Sequence, residues 1–283
     1  MYRDEHIAML ARINTFIREQ GAVPAVQLAH AGRKASVYRP WSGHGEVSVE
    51  DGRWQTVGPG AQPFSDGYPH PQPLSREEIA EIVHSFRHAT QRSLQAGFQV
   101  IELHAAHGYL LHEFLSPLSN QRDDEYGGSL TNRMRFLLEV VDATREVWPA
   151  ELPLFVRLSA SDWTEGGLTI EESVEIARTL KQHGVDLIDV SSGGNSATAK
   201  IPVRPGYQIP FSEQIRHEAD IPTAAVGLIT EPAQANSIVQ DGEADMIALA
   251  RELLRDPYWP LHAARALHYD MPWSPQYERA KLA

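Results

Sequence analysis

The sequence predicts an α/β protein built on a parallel β-sheet, and two observations support this fold class. Short apolar runs, typical of strands buried on both faces, alternate with helical segments six times along the chain. No G-x-G-x-x-G motif follows the first predicted strand, which disfavours a dinucleotide-binding Rossmann domain. The architectures that remain are a doubly wound sheet and a (β/α)8 barrel.

The first quarter of the chain combines regular elements with an irregular segment. An amphipathic helix is predicted over Asp4–Gln20, and a strand over Val23–Leu28. Residues 38–74 are rich in proline and glycine, yet they contain large aromatic side chains: Trp41, Trp54, Phe64 and Tyr68. We interpret this segment as an excursion that covers the mouth of a site; the alternative is a mobile surface insert.

Capping signals define the next helices. Ser75 and Glu78 form an S-x-x-E capping box at the start of a helix that Gly97 ends. Another helix is predicted from Ser129 to Trp148, and Thr169 caps a third that ends at Gly184. The remaining predicted elements are the strands Phe98–Leu103, Leu154–Leu158, Asp186–Val190, Thr223–Val226 and Asp245–Leu249, and the helices Phe211–Glu218 and Pro232–Gln240.

The connection after Phe98–Leu103 has about 25 residues before the next helix, far more than the ~2–6 of a usual βα loop. It carries His104, His107 and Tyr109 just past the end of a strand, where parallel α/β folds bind ligands. These residues could simply be packed in the core. With His112 they could bind a metal ion, although the spacing is not the helical H-E-x-x-H pattern. The third interpretation is a pair of donors that hold a substrate oxygen, with a phenol as proton donor.

Small residues and an arginine follow the last two predicted strands. Gly227 follows the first of these strands, and Ala250 and Arg251 follow the second. This pattern is typical of the phosphate site after strands 7 and 8 of a barrel, where backbone N–H groups and an arginine bind the anion. Arg251 alone could equally form a salt bridge, but Gly227 favours phosphate.

The composition excludes several classes of function. The 283 residues carry a formal net charge of −12, which argues against nucleic acid as a partner. With no cysteine, the chain has no disulfide, cysteine-ligated metal or cysteine nucleophile. It has no apolar run long enough for a membrane span and no signal peptide at Met1, so we expect a cytoplasmic protein.

Four motifs resemble the Old Yellow Enzyme family, most closely its bacterial NADPH dehydrogenase, or thermophilic-like ene-reductase, branch. They are QLAHAGRKA from Gln27, HAAHGYLLHEFLSPLSNQRDDEYGGSLTNR from His104, RLSASD from Arg157 and ARELLRDP from Ala250. The resemblance covers essentially the whole chain. It implies an FMN-containing (β/α)8 TIM barrel and a single domain over residues 1–283.

The resemblance also implies a role for each matching residue. His104 and His107 would bind a carbonyl or nitro oxygen of the substrate, and Tyr109 would protonate its α-carbon. Lys34 and Arg255 resemble residues near the flavin's outer side or phosphate. The cofactor-binding residues implied are Gln27 at the flavin pyrimidine edge, Arg157 near N1–C2=O, and Gly227, Ala250 and Arg251 at the phosphate. Arg279 resembles an arginine that reaches a neighbouring subunit's site, which implies a homodimer or homotetramer.

The resemblance implies one departure from the family. The barrel of the family has two further βα units before the helix at Asp4, so the domain is expected to be N-terminally incomplete. The DNA upstream of Met1 should then encode roughly 60–80 more residues, by the length of two βα units. The 283-residue chain expressed alone is expected to be insoluble or to bind FMN poorly.

The activity expected from the resemblance is an FMN-dependent NAD(P)H oxidoreductase that reduces activated C=C bonds. NADPH or NADH would reduce the flavin, and an α,β-unsaturated carbonyl or nitro compound would then take the hydride. Two alternatives remain open: a flavin barrel with other chemistry, such as nitro-ester reduction or oxidative demethylation, and an inactive fragment.

Overall fold

The computed structural model describes residues 1–281, and within that range it contains eight strands. They are β1 (Ala25–Leu28), β2 (Val57–Gly58), β3 (Gln72–Pro73), β4 (Val100–Ala105), β5 (Leu154–Ser159), β6 (Leu187–Ser191), β7 (Thr223–Ala225) and β8 (Met246–Ile247). Six of them form one parallel sheet in the order β1-β4-β5-β6-β7-β8, and β2 pairs with β3. Because every neighbour in the larger sheet is parallel, all its strands end at the same edge.

Helices connect these strands in the expected alternation. Within the described range they are α1 (Glu5–Glu19), α2 (Arg76–Gln95), α3 (Leu110–Leu115), α4 (Leu130–Arg145), α5 (Ile170–Gln182), α6 (Ile209–Ala219), α7 (Pro232–Gln240), α8 (Arg251–Arg255) and α9 (Trp259–Ala266). Short 3₁₀ turns occupy Gly32–Lys34 and Glu278–Ala280. Among residues 1–281, no helix combines the length and the apolar character that crossing a membrane requires.

The predicted caps begin their helices as expected. Ser75 Oγ accepts from the Glu78 amide, and the Glu78 carboxylate accepts from the Ser75 amide, so the capping box is complete. Ser129 and Thr169 each accept from the amide three residues on. These bonds satisfy amide groups that have no partner inside the helix.

The main core lies between the sheet and the helices α2, α3, α4 and α5. Its largest fully buried side chains include Trp148, Phe114 and Phe136. Phe114 and Phe136 meet edge to face, with their centroids 4.8 Å apart, which is a favourable aromatic geometry. This core fixes α3 and therefore the connection in which the candidate site lies.

The long connection after β4 differs from the prediction in two ways. His104 lies within β4, because the strand continues to Ala105 instead of ending at Leu103. The predicted loop also contains α3, all six residues of which are buried. The run LLHEFL places apolar side chains on one helical face against the core, and this packing makes a short helix stable there.

Helix α1 buries less of its apolar face than its amphipathic pattern suggests. Ile13 is 44% exposed and Phe16 is 62% exposed, whereas Asn14 is buried. Asn14 Nδ2 donates to the carbonyl oxygen of Ala96 at 2.8 Å, which ties α1 to the end of α2. A buried polar contact therefore helps to hold α1, together with the packing of Ile7 and Leu10 against the core.

Residues 38–74 divide into two halves with different contacts. The outer half, residues 39–55, is mostly exposed, and Trp41 is 80% and Trp54 58% exposed. The inner half, residues 56–74, is held against the connection after β4. Arg122 Nη1 donates to the carbonyl oxygens of Pro59 (3.2 Å) and Leu74 (2.7 Å). A role of the segment as a cap over the site stays a prediction.

Candidate active site

The candidate site begins at the carboxyl ends of β4, β5 and β6. Strand register places His104 beside Arg157, and Arg157 beside Asp189. Nε of Arg157 lies 3.2 Å from Oδ2 of Asp189, close enough for an ion pair although not aligned for a good hydrogen bond. The edge of the sheet therefore presents a cation next to a buried imidazole.

The turn His107–Gly108–Tyr109 crosses this edge in a conformation that few residues adopt. Both His107 (φ 59°) and Gly108 (φ 70°) are left-handed. A Cβ on Gly108 would collide with the carbonyl oxygen of Gly194, and a Cβ on Gly194 would lie 2.6 Å from Cα of His107. The turn and the loop after β6 can approach this closely only because both positions are glycine.

Three aromatic side chains converge at this turn. The ring of His104 meets those of His107 and Tyr109 edge-on, each with a centroid distance of 5.1 Å. His107 Nε2 lies 2.7 Å from Ser191 Oγ, and its amide donates to Ser159 Oγ at 2.9 Å. Within residues 1–281, the buried Nδ1 of His104 has no hydrogen-bond partner, so the centre of this cluster contains an unsatisfied polar atom.

Both imidazoles are held neutral. Burial, reinforced by the charge of Arg157, lowers the pKa of His104 to about 4 and that of His107 to about 3. At neutral pH each ring therefore carries one N–H donor and no charge. Neutral donors can bind a carbonyl or nitro oxygen without a buried counter-charge.

These pKa values predict that acid destabilises the fold. The ordinary pKa of a histidine side chain is 6.5. Between about pH 6.5 and 4, the two histidines therefore bind more protons in the unfolded chain than in the folded one. The free energy of unfolding should therefore fall as the pH is lowered through this range. Thermal denaturation at several pH values should give a shallower pH slope for a His104→Gln/His107→Gln variant.

The control for this experiment is His84→Gln, because His84 is exposed. It should keep the wild-type slope. Equal slopes for the double variant and the wild type would contradict the assignment of the acid sensitivity to His104 and His107.

A buried polar network holds the turn His107–Gly108–Tyr109 through the amide of Gly108. The Gly108 amide donates to His112 Nδ1 at 2.9 Å, and Nε2 of His112 lies 3.1 Å from Asp162 Oδ1. Oδ2 of Asp162 accepts from Ser116 Oγ (2.5 Å) and from the Leu168 amide (2.8 Å). Burial opposes ionisation of Asp162, but His112 and these hydrogen bonds together lower its pKa.

This network bears on the metal-site interpretation. Both ring nitrogens of His112 are already in contact with protein groups, so His112 is not free to join His104 and His107 as a ligand. In the described part of the chain, no group of three or more His, Asp or Glu side chains is arranged to hold a metal ion. The structure gives His112 a supporting position under the turn.

A cleft of about 240 Å³ opens beside the turn. Six of the residues singled out from the sequence line it: His107, Arg157, Gly227, Ala250, Arg251 and Arg255. Gly227 has a φ of 136°. Among residues 1–281, Arg251 forms no salt bridge, in contrast to Arg255, whose Nε lies 3.1 Å from Glu252 Oε2. The cleft thus offers an uncompensated cation next to the backbone at the start of α8.

Gln208 lines the same cleft and was missed by sequence reasoning. Its Nε2 donates to the carbonyl oxygen of Val226 at 2.8 Å, and its Oε1 accepts from Ser192 Oγ at 2.6 Å. It therefore joins the loops after β6 and β7. Gln208 immediately precedes α6 without a motif of its own, so the sequence holds no signal for this role.

Two predicted site residues lie away from the cleft. Gln27 is exposed on β1, and its Nε2 donates to Glu102 Oε1 at 2.6 Å. Arg279 lies in the exposed 3₁₀ turn near the end of the chain. The structure therefore brings together the residues of β4–β8 and leaves Gln27 and Arg279 outside that cleft.

A model of the NADH:flavin oxidoreductase / NADH oxidase family matches residues 1–270. An NADPH dehydrogenase of Geobacillus sp. (strain WCH70) is 50% identical over 279 residues, which cover 99% of this chain and 77% of that protein.

Solved structures agree with this match. Morphinone reductase in complex with tetrahydroNAD has a TM-score of 0.74 and 28% identity, covering 97% of this chain and 74% of that one. The old yellow enzyme homologue of Zymomonas mobilis has a TM-score of 0.76 at 23% identity, covering 97% and 78% of the two chains. The predicted TIM-barrel fold class is thereby confirmed.

Proposed function

The chain belongs to the NADH:flavin oxidoreductase / NADH oxidase family, the family of Old Yellow Enzyme, and we propose that it reduces activated C=C bonds with FMN and NAD(P)H. Its substrates would be small α,β-unsaturated carbonyl or nitro compounds. The proposal rests on one observation above all: the rings of His104, His107 and Tyr109 converge beside the cleft that Arg157 lines.

The chemistry needs an acceptor oxygen held by two donors. Nδ1 of His104, which has no partner within residues 1–281, and the remaining nitrogen of His107 would act as neutral donors and withdraw electron density through the carbonyl or nitro group. This polarisation makes the β-carbon electrophilic. FMN, when bound, would supply the hydride for that carbon after reduction by NAD(P)H.

Tyr109 would complete the reaction as the proton donor. The ring stands edge-on to His104, and its hydroxyl has no hydrogen-bond partner within residues 1–281. A phenol in this position can give its proton to the α-carbon while the histidines hold the oxygen. Water would then restore the proton to Tyr109.

The residues around the cleft fit an FMN group. Gly227 and the backbone at Ala250 leave room for a phosphate, and Arg251 is a cation without an ionic partner in the described range. Arg157 would place positive charge near N1–C2=O, which favours the reduced flavin. Gln27 lies outside the cleft, on β1; it donates to Glu102 through its amide nitrogen, and its carbonyl oxygen would be open to the pyrimidine edge.

Flavin content and a two-stage titration test the proposal. The complete protein, purified and supplied with FMN, should bind it and turn yellow, bleach anaerobically when NADPH is added, and regain its colour with cyclohexenone. A colourless protein that ignores added FMN would remove the flavin proposal. Bleaching without recovery on any enone or nitroalkene, but with recovery on a nitro ester, would replace the proposed substrate class.

Arg279 gives a separate expectation about assembly. It is exposed and lies outside the cleft of its own chain, so we propose that it completes the site of a neighbouring subunit. Light scattering should show a homodimer or homotetramer, and Arg279→Ala should raise the KM for the enone in that assembly. A monomer with full activity would contradict this.

A further inference from the structure

Lys34 joins three segments that meet behind the turn His107–Gly108–Tyr109. It lies in the 3₁₀ turn after β1, and its Nζ donates to the carbonyl oxygen of His107 at 2.8 Å and to that of Gly194. The same Nζ lies 3.9 Å from the ring centroid of Phe64, in a cation–π contact with the inner half of residues 38–74. One side chain thus contacts the turn, the loop after β6 and the segment beside them.

Two backbone carbonyl groups at the turn require a hydrogen-bond donor, and Lys34 supplies it. Gly108 and Gly194 pack so closely that two backbone carbonyls, those of His107 and Gly194, come together at one point. In the part of the chain that the structure describes, Lys34 is the hydrogen-bond donor to both. Buried carbonyl groups without a donor are costly, and two facing dipoles repel each other.

The surroundings of Lys34 act on the charge of its ammonium group in opposite directions. Burial, followed by the charge of Arg33, lowers the pKa of Lys34 to about 8, while Glu113 opposes that change. Arg33 itself donates to the carbonyl and side-chain oxygens of Asn195. The charged groups that face Lys34 are therefore Arg33 in its own turn and Glu113 in α3, whereas His107 contacts it through an uncharged carbonyl group.

We propose that Lys34 is a positioning residue that fixes His107 for binding the substrate oxygen by tying the turn to the loop after β6. This positioning role adds a residue to the proposed function and depends on that function being correct. Lys34 does not line the cleft, so it acts through His107 and not by contact with the substrate.

A double-mutant cycle on phenol affinity tests the proposal. A phenol oxygen can accept from the paired imidazoles, and its binding is followed by the change in the visible absorption of bound FMN. Lys34→Met should raise the Kd for phenol about 10-fold, the weakening expected from losing charge-assisted hydrogen bonds. In a His107→Gln background, the same change should raise the Kd less than about 2-fold, because the residue it positions is already gone.

Two variants and one independent readout complete the design. Lys34→Arg keeps the charge and the donors and should bind phenol close to the wild type, and Lys200→Met serves as the control because Lys200 is exposed. Amide hydrogen exchange should become faster in Lys34→Met over peptides covering 106–109 and 193–195, and stay unchanged in α5. Should Lys34→Met not fold, Lys34→Gln takes its place in the cycle.

The outcomes separate the two proposals. Wild-type phenol affinity in Lys34→Met, or an equal loss with and without His107, overturns the positioning role. Unchanged exchange over both peptides overturns it as well. If the wild type binds neither FMN nor phenol, the proposed function fails, and the exchange data alone decide whether Lys34 fixes the turn.

Discussion

Replacing Tyr109 with phenylalanine is expected to slow enone reduction by about 10²–10⁴-fold, the usual contribution of a positioned general acid. The substitution removes only the hydroxyl, and the ring keeps its edge-on contact with His104. The oxygen-binding pair and the cleft should therefore stay in place. Reduction of the flavin by NADPH should proceed at nearly the wild-type rate.

Stopped-flow measurement of the two half-reactions distinguishes these effects. The reoxidation step with cyclohexenone should carry the whole loss, and an acceptor that needs no carbon protonation, such as ferricyanide, should reoxidise both enzymes equally. Tyr269→Phe is the matched control, since Tyr269 is 70% exposed. Unchanged enone reduction in Tyr109→Phe would assign the proton to water or to another group.

Asp162→Ala should produce the largest loss of stability. It leaves the His112 ring, the Ser116 hydroxyl and the Leu168 amide buried without their acceptor. Breaking a buried charged network by removing one partner costs about 3–5 kcal/mol, and each unsatisfied polar group adds to it. Because His112 also holds the Gly108 amide, the turn should loosen together with the core.

Denaturant unfolding measures this loss. The midpoint should fall strongly in Asp162→Ala, whereas Asp66→Ala, a change at an exposed aspartate, should leave it in place. In the folded fraction, phenol affinity should fall as well, because the turn has lost its support. A loss of stability below about 1 kcal/mol, the scale of a surface substitution, would show that the network is not a structural unit.

The sequence predicted those parts of the fold that depend on local signals. Capping residues such as Ser75 and Thr169 marked helix starts correctly because a cap is a contact within three residues. Helix α7 was predicted at its observed bounds, Pro232–Gln240. The convergence of His107, Arg157 and Arg251 followed from strand order, since the carboxyl ends of parallel strands share one edge.

The features that the sequence did not predict depend on contacts between residues far apart in the chain. Helix α3 was hidden inside a predicted loop because its six residues are too few to show a period and are stabilised by the core alone. His112 and Asp162 are 50 positions apart, and Gln208 gains its role from two loops that fold onto it. No local pattern in the chain encodes such pairings, so only the folded structure shows them.

The attachment of residues 38–74 has a practical consequence. The guanidinium of Arg122 holds the carbonyls of Pro59 and Leu74, so the inner half has contacts with the connection after β4 that do not involve the outer half. We therefore expect that a break in the backbone between residues 39 and 55 leaves the shape of the cleft unchanged, because exposed loop tips commonly tolerate such breaks. The protein could be expressed as two pieces divided there, or carry a grafted peptide or fluorescent label, and the pieces would still be joined through β1, β4 and Lys34.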